Sequence, residues 1–399
     1  MDIQLSILKN LKGPLSKSFK LEDGVLKRSP AAQLYEGIAE TRVISDLHGL
    51  SNIIDSLTVE HALTFGVCKF PRARVVTQKK MAKVDGLDAV CRDSRHFDWP
   101  EGRGVLMLDI DRPRDGSAPL KAMQFDALLC KLQPWWKDVA RMYRPSASAF
   151  ICDASGKDLT GASSLRCYSI VDSAKNAHFV GINVADAFWR AGHGRIEFSA
   201  SGSMLVRCPV DTTVWQPERL DFAGPVVLDP GLTKRKFPPL FLEGGDVDSE
   251  QVLYDGIGEA SFSEWSRHSI DVRRAKEVRK PEEKRRKAIV IDDRVKADVA
   301  KGEDAEKSRR KWEDAIINDE LRGSFILERA DGTTVSVNSV LDNPLHYDGE
   351  RFADPHERDY RGDKRIAVVY ANDHNTGWPY LYSHAHGGKS YALKRADAA

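Results

Sequence analysis

None of the six cysteines in this 399-residue chain (68, 91, 130, 152, 167 and 208) belongs to a C-x-x-C pair. That spacing argues against a zinc ribbon. Thiols scattered so evenly suit a reduced, mostly buried state, and a cytoplasmic location is the expectation. No run of 18 apolar residues occurs, so no segment is read as membrane-spanning. The opening MDIQLSILKNLKGPLSKSF has no long apolar stretch and is not read as a signal peptide. A G-x-x-x-x-G-K-S/T motif is missing too, so this chain by itself is not expected to be a P-loop helicase. Charge of one sign is also lacking: 60 Lys and Arg face 59 Asp and Glu. Overall charge therefore neither requires nor excludes a polyanionic partner, and placement decides. There is no internal repeat and no long low-complexity tract.

What is present is enough apolar material, 41% of residues, for a buried core in two or three domains. Up to about residue 245, strand-like and helix-like segments mix. Ile53 to Phe65 reads as an amphipathic helix and Gln124 to Met142 as a helix interrupted at Pro134. Ser164 to Asp172 reads as a strand and Val184 to Gly192 as a helix. Two short strands are expected around a Ser-Gly-Ser turn within Ile196 to Val210. From 246 to 322 the alternation stops. Arg267 to Lys287 holds ten Lys or Arg against four Asp or Glu, and Pro281 is expected to split it into two helical pieces. With Ser308 to Leu321 this stretch reads as a helical bundle. Residues 323–399 return to β: a hairpin turning at Asp331-Gly332, a strand at Ile366 to Tyr370, and a loop, SHAHGG, before a last strand. The fold class expected is α+β, with a catalytic domain over 1–245, a bundle over 246–322 and a small β-rich module over 323–399.

The sharpest motif is Asp109-Ile110-Asp111 at the end of GVLMLDID. Residues two apart on a strand face one side, so both carboxylates project together. They repel each other, and a divalent cation resolves the conflict. Asp211 ends another strand-like run, MLVRCPVD, and offers a third carboxylate. Such a set suits metal-assisted phosphoryl transfer.

Asp109, Asp111 and Asp211, together with AFWRAGHGRIEFSASGSMLVRCPVDTTVWQPERLDFAG, resemble the archaeo-eukaryotic primase superfamily, and in particular primase-polymerases of phages, plasmids and integrative elements. In that group Pro217 to Phe222 matches a run after the third motif. SHAHGGKSYAL resembles a tail found ahead of the helicase part of primase-helicases. The resemblance covers most of the chain from about residue 100. It implies an RRM-like catalytic sheet and template-directed nucleotidyl transfer, a DNA primase or polymerase. It implies Mg²⁺ or Mn²⁺ held by Asp109, Asp111 and Asp211, nucleoside triphosphates, a single-stranded DNA template and a replicative helicase as partner.

The chain departs from the family at the middle motif, where Arg166 stands in place of the usual His. An Arg can hold phosphate bidentately, or it marks weakened catalysis in a protein that binds nucleic acid or nucleotide. Ser163, Ser164, Arg207 and Arg219 are further triphosphate contacts on this reading. Asp221 either binds a ribose hydroxyl or pairs with Arg219, the second being favoured. Arg273, Arg274, Lys276, Arg279 and Lys280, with Trp265 beside them, are the expected nucleic-acid contacts. His193 reads as an exposed turn residue. His384 and His386 read as part of a structural loop, with Asp354, His356 and Glu357 as distant metal partners that nothing in the sequence brings together.

Overall fold

The structure is a computed structural model that describes residues 2–29, 34–81, 88–112, 118–162, 164–254, 260–373 and 376–396; at 79, 254, 260–268 and 361 only the backbone is described. The chain forms two compact units, residues 1–195 with 207–272, and residues 196–206 with 273–399. It is mixed α+β with several small sheets.

In the first unit a five-stranded sheet runs in the spatial order 61–64, 3–10, 36–44, 72–76, 89–90. A four-stranded sheet runs in the order 104–111, 164–171, 141–145, 240–242, with every pairing antiparallel. Helices Leu47–Ser56, Ala122–Leu132 and Ala177–Arg190 supply Leu50, Ile54, Phe125, Leu129, Val180 and Phe188 to one core shared with both sheets. The strand Gly104–Asp111 is buried from Gly104 to Leu108, which explains its unbroken apolar run. Gly104 is obligatory there: a Cβ would come 2.4 Å from the Cβ of Ala174.

Three local expectations change. The helix expected over 53–65 ends at Ser56, because His61–Thr64 pairs with Ser6–Lys9 as an edge strand. The helix expected over 124–142 ends at Leu132. Pro134 then opens a 3-10 turn, and Arg141–Pro145 is a strand between two others. Pro281 does not split the basic stretch, which is one helix from Ala260 to Val299. Proline deletes one backbone hydrogen bond. It stands at an exposed position, and the Lys280–Glu277, Arg279–Glu282 and Arg286–Glu282 pairs bridge the turns around it.

The second unit is built on a five-stranded sheet in the order 320–322, 389–394, 380–383, 367–370, 351–352. The Asp-Gly hairpin is present as Ile326–Glu328 paired with Thr334–Ser336. Ile291, Val295, Trp312 and Ile316 from the helical stretch join Leu321, Phe352, Leu381 and Leu393 in a single core. The helices therefore do not make a bundle of their own; their apolar side chains are used against the sheet. Asp298 organises this packing by accepting from Ser308 Oγ and Trp312 Nε1 (2.8 Å each) and pairing with Lys311 (2.6 Å). No helix among the described residues is long and apolar enough to cross a membrane.

Candidate active site

Register across the four-stranded sheet places Asp109 opposite Arg166 and Asp111 opposite Ser164. On the other side of the motif strand, Ile110 bridges Val210, and the Asp211 N–H donates to the Asp109 carbonyl at 2.9 Å. The two segments carrying the acids are thus joined directly. Asp109, Asp211, Arg166, Lys17 and Arg219 line one cleft of about 270 Å³. Asp111 lies two residues along on the same strand face, exposed, and its charge acts on both Asp109 and Lys17.

Asp211 is held by an Asx turn: its Oδ1 accepts from the backbone N–H (2.9 Å) and hydroxyl (2.8 Å) of Thr213. Trp215 fixes the same loop, donating from Nε1 to the Met107 carbonyl at 2.8 Å. Gly181 lets the indole lie flat on its helix, since a Cβ there would fall 2.3 Å from the ring.

Arg166 is buried, and its Nη1 lies 2.6 Å from Asp221 Oδ1; Asp221 Oδ2 accepts from the Tyr168 hydroxyl at 2.8 Å. This corrects the expected Arg219 pairing. Asp221 is locked inside by exchanging backbone hydrogen bonds with Leu63 (2.8 and 2.9 Å), where the partners within reach are residues 166 and 168, on one strand face. Arg219 stays exposed and reaches Thr213 Oγ1 at 3.4 Å. The Arg166 Nε is buried with no hydrogen-bond partner among the described residues.

The electrostatics are those of an unfinished site. Burial raises the Asp109 carboxyl to about 6; Arg166 pulls it down, while Asp111, Asp221 and Asp211 push it up. Burial, then Arg166 and Arg28, lower the Lys17 ammonium to about 8, against the pull of Asp109 and Asp111. Lys234 is likewise lowered to about 8 by burial and then by Arg166, Arg144 and Lys17. Its Nζ donates to the carbonyls of Ser146 (3.1 Å) and Ala147 (2.7 Å). The Lys17 ammonium has no hydrogen-bond or ion-pair partner among the described residues. A desolvated cation beside an unpaired arginine nitrogen is a surface awaiting an anion.

No family model, curated protein or solved structure matches this chain. Its cleft is interpreted from its own chemistry.

A divalent cation fits that chemistry. The donors are hard carboxylate oxygens, and Asp109 is crowded by other acids, a conflict that a cation relieves. Among the described residues no three His, Cys, Asp or Glu are already arranged to hold a metal. Mg²⁺ commonly uses one or two carboxylates and takes its other ligands from water and substrate phosphate.

Other sequence-selected residues lie elsewhere. Ser164 and Arg207 are outside the cleft lining, the Ser164 hydroxyl being bonded to that of Ser146. Ser163 and the side chain of Trp265 lie outside the described residues. In the basic helix, Arg279 pairs with Glu282 (3.1 Å) and Lys280 with Glu277 (2.7 Å), and the Arg279 guanidinium lies over Phe198. Arg273 and Arg274 are exposed and Lys276 is half-buried. His193 is exposed, its ring edge-on to Phe188.

Asp354, His356, Glu357 and His386 do meet. His386 Nε2 lies 3.3 Å from Asp354 Oδ1 and 3.8 Å from Glu357 Oε2. Asp354 also accepts from the backbone N–H groups of His356 and Glu357 and from Ser383 Oγ (2.9, 2.7 and 2.6 Å). This carboxylate pins the 354–357 turn to the SHAHGG loop, while His384 stays exposed. Burial holds His356 neutral, at about 3.

Lys17, Lys234, Tyr168 and Trp215 were not selected from the sequence. A single lysine or aromatic in an ordinary context carries no signal; their roles exist only through partners far along the chain.

Proposed function

We propose that this chain is a template-directed nucleotidyltransferase, a DNA primase or polymerase of the archaeo-eukaryotic primase type. It would act on nucleoside triphosphates and a single-stranded DNA template, with a helicase as its replication partner. One observation carries the reading: the strands bearing Asp109 and Asp211 are hydrogen-bonded together, and their acids share a cleft with Lys17 and Arg166. Acids on one side and unneutralised cations on the other suit a metal-bound triphosphate.

Asp109, Asp111 and Asp211 would hold Mg²⁺ or Mn²⁺. A bound divalent ion there supplies charge neutralisation and a more acidic attacking hydroxyl. Lys17 and the Arg166 Nε are positioned to take phosphate oxygens. Asp221 and Tyr168 orient Arg166, and the Thr213 and Trp215 contacts hold the Asp211 loop so that little reorganisation accompanies the reaction.

The test is strand synthesis on single-stranded template with Mn²⁺ or Mg²⁺. Product is expected from the native chain and none from Asp109→Ala/Asp111→Ala. Undiminished product from the double variant overturns the assignment of these acids. A second reading, a catalytically weakened protein that binds nucleotide or nucleic acid, is favoured by the tie between Arg166 and Asp221 where the family has a His. Metal-dependent triphosphate binding without any product would select it.

A further inference from the structure

The sheet of the second unit has one face in the core and one open. Leu321, Leu393, Tyr391, Leu381, Val369 and Phe352 point inward and are buried. The alternate positions point the other way. An open antiparallel face is ordinarily polar. This one carries Tyr370, Tyr380 and Tyr382, all half-buried, at its centre. Tyr370 and Tyr380 are direct cross-strand partners, with ring centroids 5.0 Å apart and planes 17° from parallel. Tyr382 follows Tyr380 on the same face. The loop joining the two tyrosine strands carries Trp378, which is 70% exposed.

Charge surrounds the rings. In register order across the open face stand Arg322 and Lys394, then the tyrosines, then Arg351, which is opposite Val368 on the outer strand. Glu320 is the acid at a register position of that face, paired with Lys394 and Arg322. The face is net positive, with π-surfaces inside a cationic border. Aromatic rings on a sheet flanked by Arg and Lys match the stacking and phosphate requirements of single-stranded nucleic acid.

We propose that this face, centred on Tyr370, Tyr380 and Tyr382 with Trp378, Arg351 and Lys394 at its margins, binds single-stranded nucleic acid by base stacking. Duplex is excluded because its bases are already stacked on one another. The site is separate from the basic helix, and it is independent of the reaction assigned to the Asp109 cleft.

The experiment uses the full chain as Asp109→Asn/Asp111→Asn without added metal, so that no strand synthesis interferes. Fluorescence anisotropy follows a labelled single strand of about 16 nucleotides, the upper site size for such platforms. Tyr380→Ala and Tyr370→Ala are each expected to weaken binding about tenfold, while Tyr380→Phe keeps it. Arg351→Gln should flatten the salt dependence by about one phosphate contact. Oligonucleotide should quench emission that is lost in Trp378→Phe, a loop variant that leaves the sheet intact. Wild-type affinity in both alanine variants with native circular dichroism overturns the proposal. So does equal binding of an abasic strand. Failure of the native chain to bind, with a dimer that Trp378→Ser dissolves, assigns the face to a second copy instead and also overturns it. Loss of strand synthesis in the cleft variants has no bearing on any of these outcomes.

Discussion

Asp126 and Asp109 both sit against the four-stranded sheet of the first unit, and they live in opposite surroundings. Asp126 receives Arg141 through two bonds (2.6 and 3.1 Å) and the Tyr143 hydroxyl (2.8 Å). Burial works to raise its carboxyl, but those donors leave it below the ordinary range. Asp109 has no hydrogen-bond or ion-pair partner among the described residues, and burial with neighbouring acids takes it up to about 6. A satisfied buried carboxylate contributes to the fold, whereas an unsatisfied one in a cleft is a functional-site candidate. The difference cannot be read from the residue type, since both are aspartates beside aromatics and arginines.

Breaking the two aspartates separately should give opposite results. Asp109→Ala/Asp111→Ala is expected to lower metal-dependent strand synthesis about a thousandfold or more, with thermal stability unchanged or raised. Primer-extension assays and melting curves together check this. Asp126→Asn should do the reverse: a loss of about 3 kcal/mol or more in urea unfolding, because Arg141 is left buried and unpaired.

Lys17→Met sharpens the contrast from the cationic side. It removes a charge that has no protein partner, so it should weaken triphosphate binding about tenfold, measured by calorimetry, and leave stability intact. A stability loss instead would make Lys17 a structural residue like Arg141.

The smallest expected effect is a pH dependence. A carboxyl raised in the folded state stabilises below its unfolded value and loses that contribution as pH rises through its folded value. Asp109 should therefore make the metal-free protein less stable between about pH 4 and pH 6, and saturating Mg²⁺ should flatten the slope. Asp126 has the opposite sign, its contribution vanishing as pH falls below the ordinary carboxylate range. Urea midpoints across that range, repeated in Asp109→Asn, separate the two; a slope unchanged by the substitution removes Asp109 as its source.

The parts legible in the sequence share a feature. GVLMLDID announced a strand with two acids on one face because alternation and burial act over a few residues. The Asp-Gly hairpin, the Ser-Gly-Ser turn and the last strand were legible for the same reason. Reach in sequence misled where reach in space decided. Asp221 lies two residues from Arg219, yet it pairs with Arg166. His386 looked isolated, yet it packs against Asp354 and Glu357. Pro281 looked like a break, yet its exposed setting lets a charged helix continue.

The sequence by itself determined which segments become strands, helices and tight turns, because those preferences arise from short-range sterics and hydrophobic periodicity. It also determined that Asp109 and Asp111 leave a strand end together. Only the tertiary structure decided which charges are neutralised. Coulomb energy and desolvation depend on distance through space and on burial, and those are set when residues 17, 109, 166, 211 and 221 are brought to one cleft.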